Sequence, residues 1–68
     1  MRISYDKLWN LLKKNRMKKR DLIAAAGLTE YTLRKMSHDE SVPLDVLARI
    51  CKVFHCNIGD VVEMIEDL

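Results

Sequence analysis

Apolar residues recur along this chain at intervals of three and four, and no alternation of apolar and polar positions runs long enough to compete, so the pattern predicts an all-α protein. Five helices fit it. The first is expected from an N-cap at Ser4, where Ile3 and Leu8 make a hydrophobic staple; Leu8, Leu11 and Leu12 carry the stripe toward Asn15, flanked by Tyr5 and Trp9. After a turn anchored by Met17, a second helix is predicted from about Lys18 to Ala26, with Leu22, Ile23 and Ala26 inward and Gly27 as its stop. A third starts at Thr29 as N-cap, with Leu28 and Leu33 in the staple positions and Leu33 and Met36 toward the core, and ends near Ser37 or His38. Ser37-His38-Asp39-Glu40-Ser41 reads as a loop, and Pro43 fixes the entry to a fourth helix with the stripe Leu44, Leu47, Ile50, Cys51 and Phe54. A fifth helix is predicted after Asn57, with Asp60 as its capping-box acid and Ile58, Val61, Val62 and Ile65 as its apolar face.

With 68 residues, 49% of them hydrophobic, and only 2 Gly and 1 Pro, the chain reads as a single folded domain over 1–68. Ordering costs about 1.5 kcal/mol per residue, so one small core leaves little net stability and argues against a deep substrate pocket. The start, Met1-Arg2-Ile3-Ser4-Tyr5-Asp6, lacks the apolar run of a signal peptide, and no stretch approaches the length needed to span a bilayer, which predicts a cytoplasmic protein with no membrane partner. Two cysteines, Cys51 and Cys56, are too few for a disulfide-stapled module and are expected as reduced thiols.

Charge changes the picture by its placement. The formal net charge is only +2, but residues 1–20 hold eight Lys/Arg against Asp6, a balance of +7. Residues 21–38 balance to zero, and residues 39–68 set Arg49 and Lys52 against seven acids, a balance of −5. A basic first half suits a polyanion, and an acidic second half suits a solubilising or partner-facing surface.

The gap between the second and third predicted helices is only Gly27-Leu28-Thr29, which forces a steep crossing, the geometry of a helix-turn-helix. At about 100° per residue with Leu33 at zero, Met36 falls near 300° and Arg34, His38, Tyr31 and Lys35 fall between about 100° and 200°, away from the core. Glu30 lies at a flank, and Thr29 at the amino end, the part of a groove-entering helix that usually touches bases. Arg34 or Lys35 suits guanine O6 and N7, Glu30 cytosine N4, and Tyr31 a thymine methyl or a phosphate. Lys18 and Lys19 open the second helix, where free N–H groups and the positive dipole end favour a phosphate, with Arg16 and Arg20 alongside and His38 at the end of the third helix. An exposed face of Arg, Lys and Glu also occurs in any soluble helix; the tight turn and the charge split are what favour DNA.

Other chemistry is poorly supported. Cys51, His55 and Cys56 leave only the distant His38 as a fourth zinc ligand, so no metal site is expected. Cys51 fits the core stripe, and Cys56 fits a staple with Val61. Neither a nucleophile–base signature nor a glycine-rich phosphate loop is present, so no enzyme activity, cofactor or small-molecule ligand is expected. The first helix is too narrowly apolar for membrane-surface binding. The serious alternative is a protein-interaction module, antitoxin-like or anti-repressor-like, docking through the last helix with Met64, Ile65 and Leu68; those residues serve equally to close a dimer.

The stretch from Met17 to Leu33, MKKRDLIAAAGLTEYTL, followed by Val42-Pro43-Leu44-Asp45-Val46-Leu47 and Ile50-Cys51, resembles the Cro/CI-type helix-turn-helix regulators of the lambda-repressor-like fold. The ending Cys56-Asn57-Ile58-Gly59-Asp60-Val61-Val62-Glu63 is similar to that of a small single-domain branch. This resemblance implies a five-helix DNA-binding domain acting as a homodimer on double-stranded DNA, most often as a repressor of transcription. It places Thr29, Glu30, Tyr31 and Lys35 in base-reading slots, and Lys18 and Lys19 at the phosphate contact. The chain departs from the family at Lys18, where a Ser, Thr or Asn cap is usual; that weakens the helix start by about 1 kcal/mol unless DNA or Asp21 compensates. It departs again at Ile23, where a small residue is usual and a slightly wider crossing is expected, and at Asp39 and Glu40, where relatives place basic or amide residues.

Overall fold

The computed structural model describes residues 1–67. Four α-helices form, α1 (Asp6–Lys14), α2 (Lys19–Ala26), α3 (Glu30–Ser37) and α4 (Leu44–Phe54). A short antiparallel strand pair, β1 (Arg2–Ser4) and β2 (Glu63–Ile65), joins the two ends of the described chain, with Ile3 opposite Met64. Tyr5, Leu8 and Leu12 meet Leu22, Leu33, Met36, Val46, Leu47, Ile50 and Val61 in one core, and Leu28 of the α2–α3 turn is buried with them.

The expected fifth helix is replaced by a single 3-10 turn, Ile58–Asp60, followed by β2. Asn57 and Asp60 do form the anticipated capping box, Asp60 Oδ2 accepting the Asn57 N–H at 3.0 Å. The helix does not continue because Gly59 is a poor helix former and Val61, Val62 and Ile65 are β-branched, while β1 offers a ladder to pair with. Met64 and Ile65 are therefore strand neighbours pointing to opposite faces, not members of one helical docking stripe; Met64 is 56% exposed and Ile65 half-buried. Leu68, the third residue of that predicted surface, lies outside the described residues.

Ser4 ends β1 and Tyr5 takes the N-cap position of α1, although the buried Ser4 hydroxyl still accepts the Asp6 N–H at 3.3 Å. Tyr5 does not flank the stripe; it is almost wholly buried, and its hydroxyl donates to the Glu40 carbonyl at 2.7 Å. On α4 the inward positions are Val46, Leu47 and Ile50, while Leu44, at the helix start, is 69% exposed. No helix of the described residues is long and apolar enough to cross a membrane.

Candidate nucleic-acid interface

The turn between α2 and α3 is built on Gly27, whose φ of 66° and ψ of 40° place it in the left-handed region where a side chain is costly. The Leu28 N–H reaches back to the Ile23 carbonyl at 3.0 Å, closing the helix end, and Leu28 drops into the core. Arg49 of α4 holds the same turn from outside: one guanidinium nitrogen donates to the Gly27 carbonyl at 2.9 Å, and the other lies 3.3 Å from Asp45. Thr29 then caps α3, its Oγ1 accepting the Thr32 N–H at 3.1 Å.

From that start, Leu33 and Met36 fix the orientation of α3, because burying both leaves only one face to solvent. On the outward side Glu30, Tyr31 and Arg34 are exposed, Tyr31 to 66%, and Lys35 is half-buried with its ammonium 5.8 Å from the centre of the Tyr31 ring. Thr29 and His38, at the two ends, are also exposed. The predicted base-reading set thus lies on one short helix and its cap, facing away from the core.

The cations before and on α2 behave differently from one another. Lys19 makes contacts within the protein: its ammonium sits 4.4 Å from the centre of the Trp9 ring on α1 and donates to Ser37 Oγ on α3 at 2.9 Å, while the Ser37 hydroxyl donates to the Leu33 carbonyl. It ties three helices together while staying solvent-exposed. Arg16, Lys18, Arg20 and His38 are exposed, and among the described residues none makes a side-chain hydrogen bond or an ion pair. Arg16 occupies the turn after α1 at φ 55°. Lys18 supplies no side-chain cap, but Asp21 Oδ2 accepts the Lys18 N–H at 2.7 Å, the reciprocal half of a capping box. That leaves the Lys18 ammonium available to solvent.

Trp9, Ser37, Tyr5 and Arg49 all shape this site, and the sequence reading assigned none of them a part in it. Only Arg49 had a visible signal, its spacing of four from Asp45 on one helix. The rest depend on pairings between elements, which periodicity does not encode.

A family model for the Cro/C1-type helix-turn-helix DNA-binding domain matches residues 7–67. The chain belongs to this family. Among solved structures, the crystal structure of the transcriptional regulator VanUg is 41% identical, superposes with a TM-score of 0.91, and is matched over 97% of this chain and 88% of its own. A search of curated proteins returned no match. Within the Cro/C1-type frame, α2 and α3 are the helix-turn-helix, and the domain is a DNA-binding one.

Proposed function

We propose that this Cro/C1-type domain is a sequence-specific regulator of transcription that inserts α3 into the major groove of double-stranded DNA. Thr29, Glu30, Tyr31, Arg34 and Lys35 are its base-reading residues, and Arg16, Lys18, Lys19, Arg20 and His38 its phosphate contacts. The observation that carries the reading is the outward face of α3: buried Leu33 and Met36 turn Tyr31 and Arg34 to solvent beside an α2 start that is densely cationic. Lys19 supports it further, since one ammonium linking α1 to Ser37 of α3 sets the mouth of α2 against the reading helix. The domain acts as a homodimer on a two-fold symmetric operator and represses by occupying it; exposed Met64 on β2 favours that end of the molecule as the contact between copies.

Binding a randomised duplex library and sequencing the retained pool tests the whole reading. The expected product is a symmetric consensus with half-sites about one helical turn apart. With about six phosphates neutralised per dimer, log K falls against log salt with a slope near −5; a flat slope on every duplex overturns the proposal. Lys35→Ala or Glu30→Ala should relax preference at one position by about 1–3 kcal/mol, whereas Arg20→Ala should weaken all sequences alike. Arg20 is the cleaner phosphate probe, because Lys19→Ala also removes the link between α1 and α3. Light scattering across a concentration series checks the homodimer, and a monomer at every concentration, free and on DNA, retires it.

A further inference from the structure

The end of α4 carries a feature that DNA binding does not use. His55 closes that helix in the left-handed conformation, φ 51° and ψ 49°, and the Cys56 N–H bonds back to the Cys51 carbonyl at 3.1 Å. This closure folds the residue after the turn over the helix position five before it, the place where a hydrophobic pair normally sits. Here both positions are cysteines. The bond lengths on either side of that 3.1 Å contact put the two α-carbons no more than about 7 Å apart, the outer limit for a disulfide. Both thiols are free and half-buried, and they line one open cleft of about 350 Å³ with Leu44, Ala48, Asn57 and Ile58.

We infer that Cys51 and Cys56 are a reversible dithiol site that closes into an intramolecular disulfide by exchange with small-molecule disulfides entering this cleft. In the first step one cysteine thiolate attacks a sulfur of the small disulfide RSSR, forming a mixed disulfide and releasing RS⁻, which takes up the proton the cysteine lost. In the second step the other cysteine displaces the remaining RS⁻ and forms the Cys51–Cys56 bond. Two electrons pass from the cysteine pair to RSSR, and both protons end on two RSH molecules. Burial first, and the Cys51 thiol beside it second, push the Cys56 thiol up from its ordinary value. The bond straps the end of α4 to the turn that leads into β2, and this reading is independent of what α3 binds.

The test treats the reduced 68-residue chain with 2-hydroxyethyl disulfide at neutral pH, then with iodoacetamide, and measures intact mass under denaturing, non-reducing conditions. The expected product is a monomer that has lost two hydrogens and takes up no iodoacetamide. Trypsin, cutting after Arg49 and Lys52, should leave the peptide of residues 50–52 joined to the one beginning at Val53. Cys51→Ser and Cys56→Ser should each stop at a mixed disulfide bearing one small thiol. A wild-type chain that alkylates at both cysteines, halts at mixed disulfides, or links only to a second chain overturns the inference, and the wild-type readouts stand even if a variant fails to fold.

Discussion

Two eight-residue stretches of this domain, α3 and the segment from Ile58 to Ile65, start alike and end differently. Each opens on a polar cap: Thr29 Oγ1 accepts the Thr32 N–H, and Asn57 Oδ1 accepts the Ile58 N–H. Each carries apolar residues at helical spacing. α3 runs on to Ser37 because Leu33, Arg34, Lys35 and Met36 favour the helix and because two of them anchor it in the core. The later stretch breaks after the single turn that contains Gly59, and Glu63, Met64 and Ile65 pair with β1. A cap and a period nominate a helix; with so few residues, the outcome belongs to intrinsic preference and to whichever neighbour is there to pair with.

Removing a core anchor gives the strongest way to test that contrast. Met36→Ala on α3 should cost about 2–5 kcal/mol in urea denaturation, since the side chain is fully buried. A loss under about 1 kcal/mol would mean that α3 is held by its cap and not by its anchors. Gly27→Ala comes next: the nearest atom to an added Cβ is 3.9 Å away, so space is available, and the cost of about 1–2 kcal/mol is the left-handed backbone alone. Thermal unfolding showing no loss would remove the argument that this turn demands glycine.

Tyr5→Phe should cost about 1 kcal/mol, the hydrogen bond to the Glu40 carbonyl. It also has a pH signature. Burial first, and Asp39 second, raise the Tyr5 hydroxyl above 10.0, so the folded state keeps a proton that the unfolded chain gives up. That contribution is complete below the unfolded value and disappears as pH climbs through the folded one. Stability of the wild type should therefore fall more steeply above pH 10 than that of Tyr5→Phe, and parallel curves would contradict it. The smallest effect is expected at Gly59→Ala, within about 0.5 kcal/mol, because nothing lies within 4 Å of the added Cβ and the backbone is ordinary. Should circular dichroism gain helix in that variant, glycine rather than strand pairing decides the fate of the segment.

Much of the reading half was legible in the sequence because its signals are local. Gly27, Thr29 and the Leu33/Met36 spacing specify a turn, a cap and an inward face within ten residues, and the outward face follows by subtraction. What escaped the sequence depends on partners far along the chain. β1 is three residues that pair with residues some sixty positions away, too short for any alternation to register. Leu44 falls on the predicted stripe yet stays exposed, because its place in the first turn of α4 lies beyond the core that Val46, Leu47 and Ile50 reach. The engagement of Lys19 was illegible because the Trp9 ring and the Ser37 hydroxyl come from two other helices.

The junction of β1 with β2 also sets an order of events during folding. Arg2, Ile3 and Ser4 must find Glu63, Met64 and Ile65, some sixty positions further along the chain. The helices make mostly local contacts and collapse early, whereas the sheet must close a loop of nearly the whole chain. The strand pair therefore closes after the helices have packed, and it is the slowest contact of the fold to form.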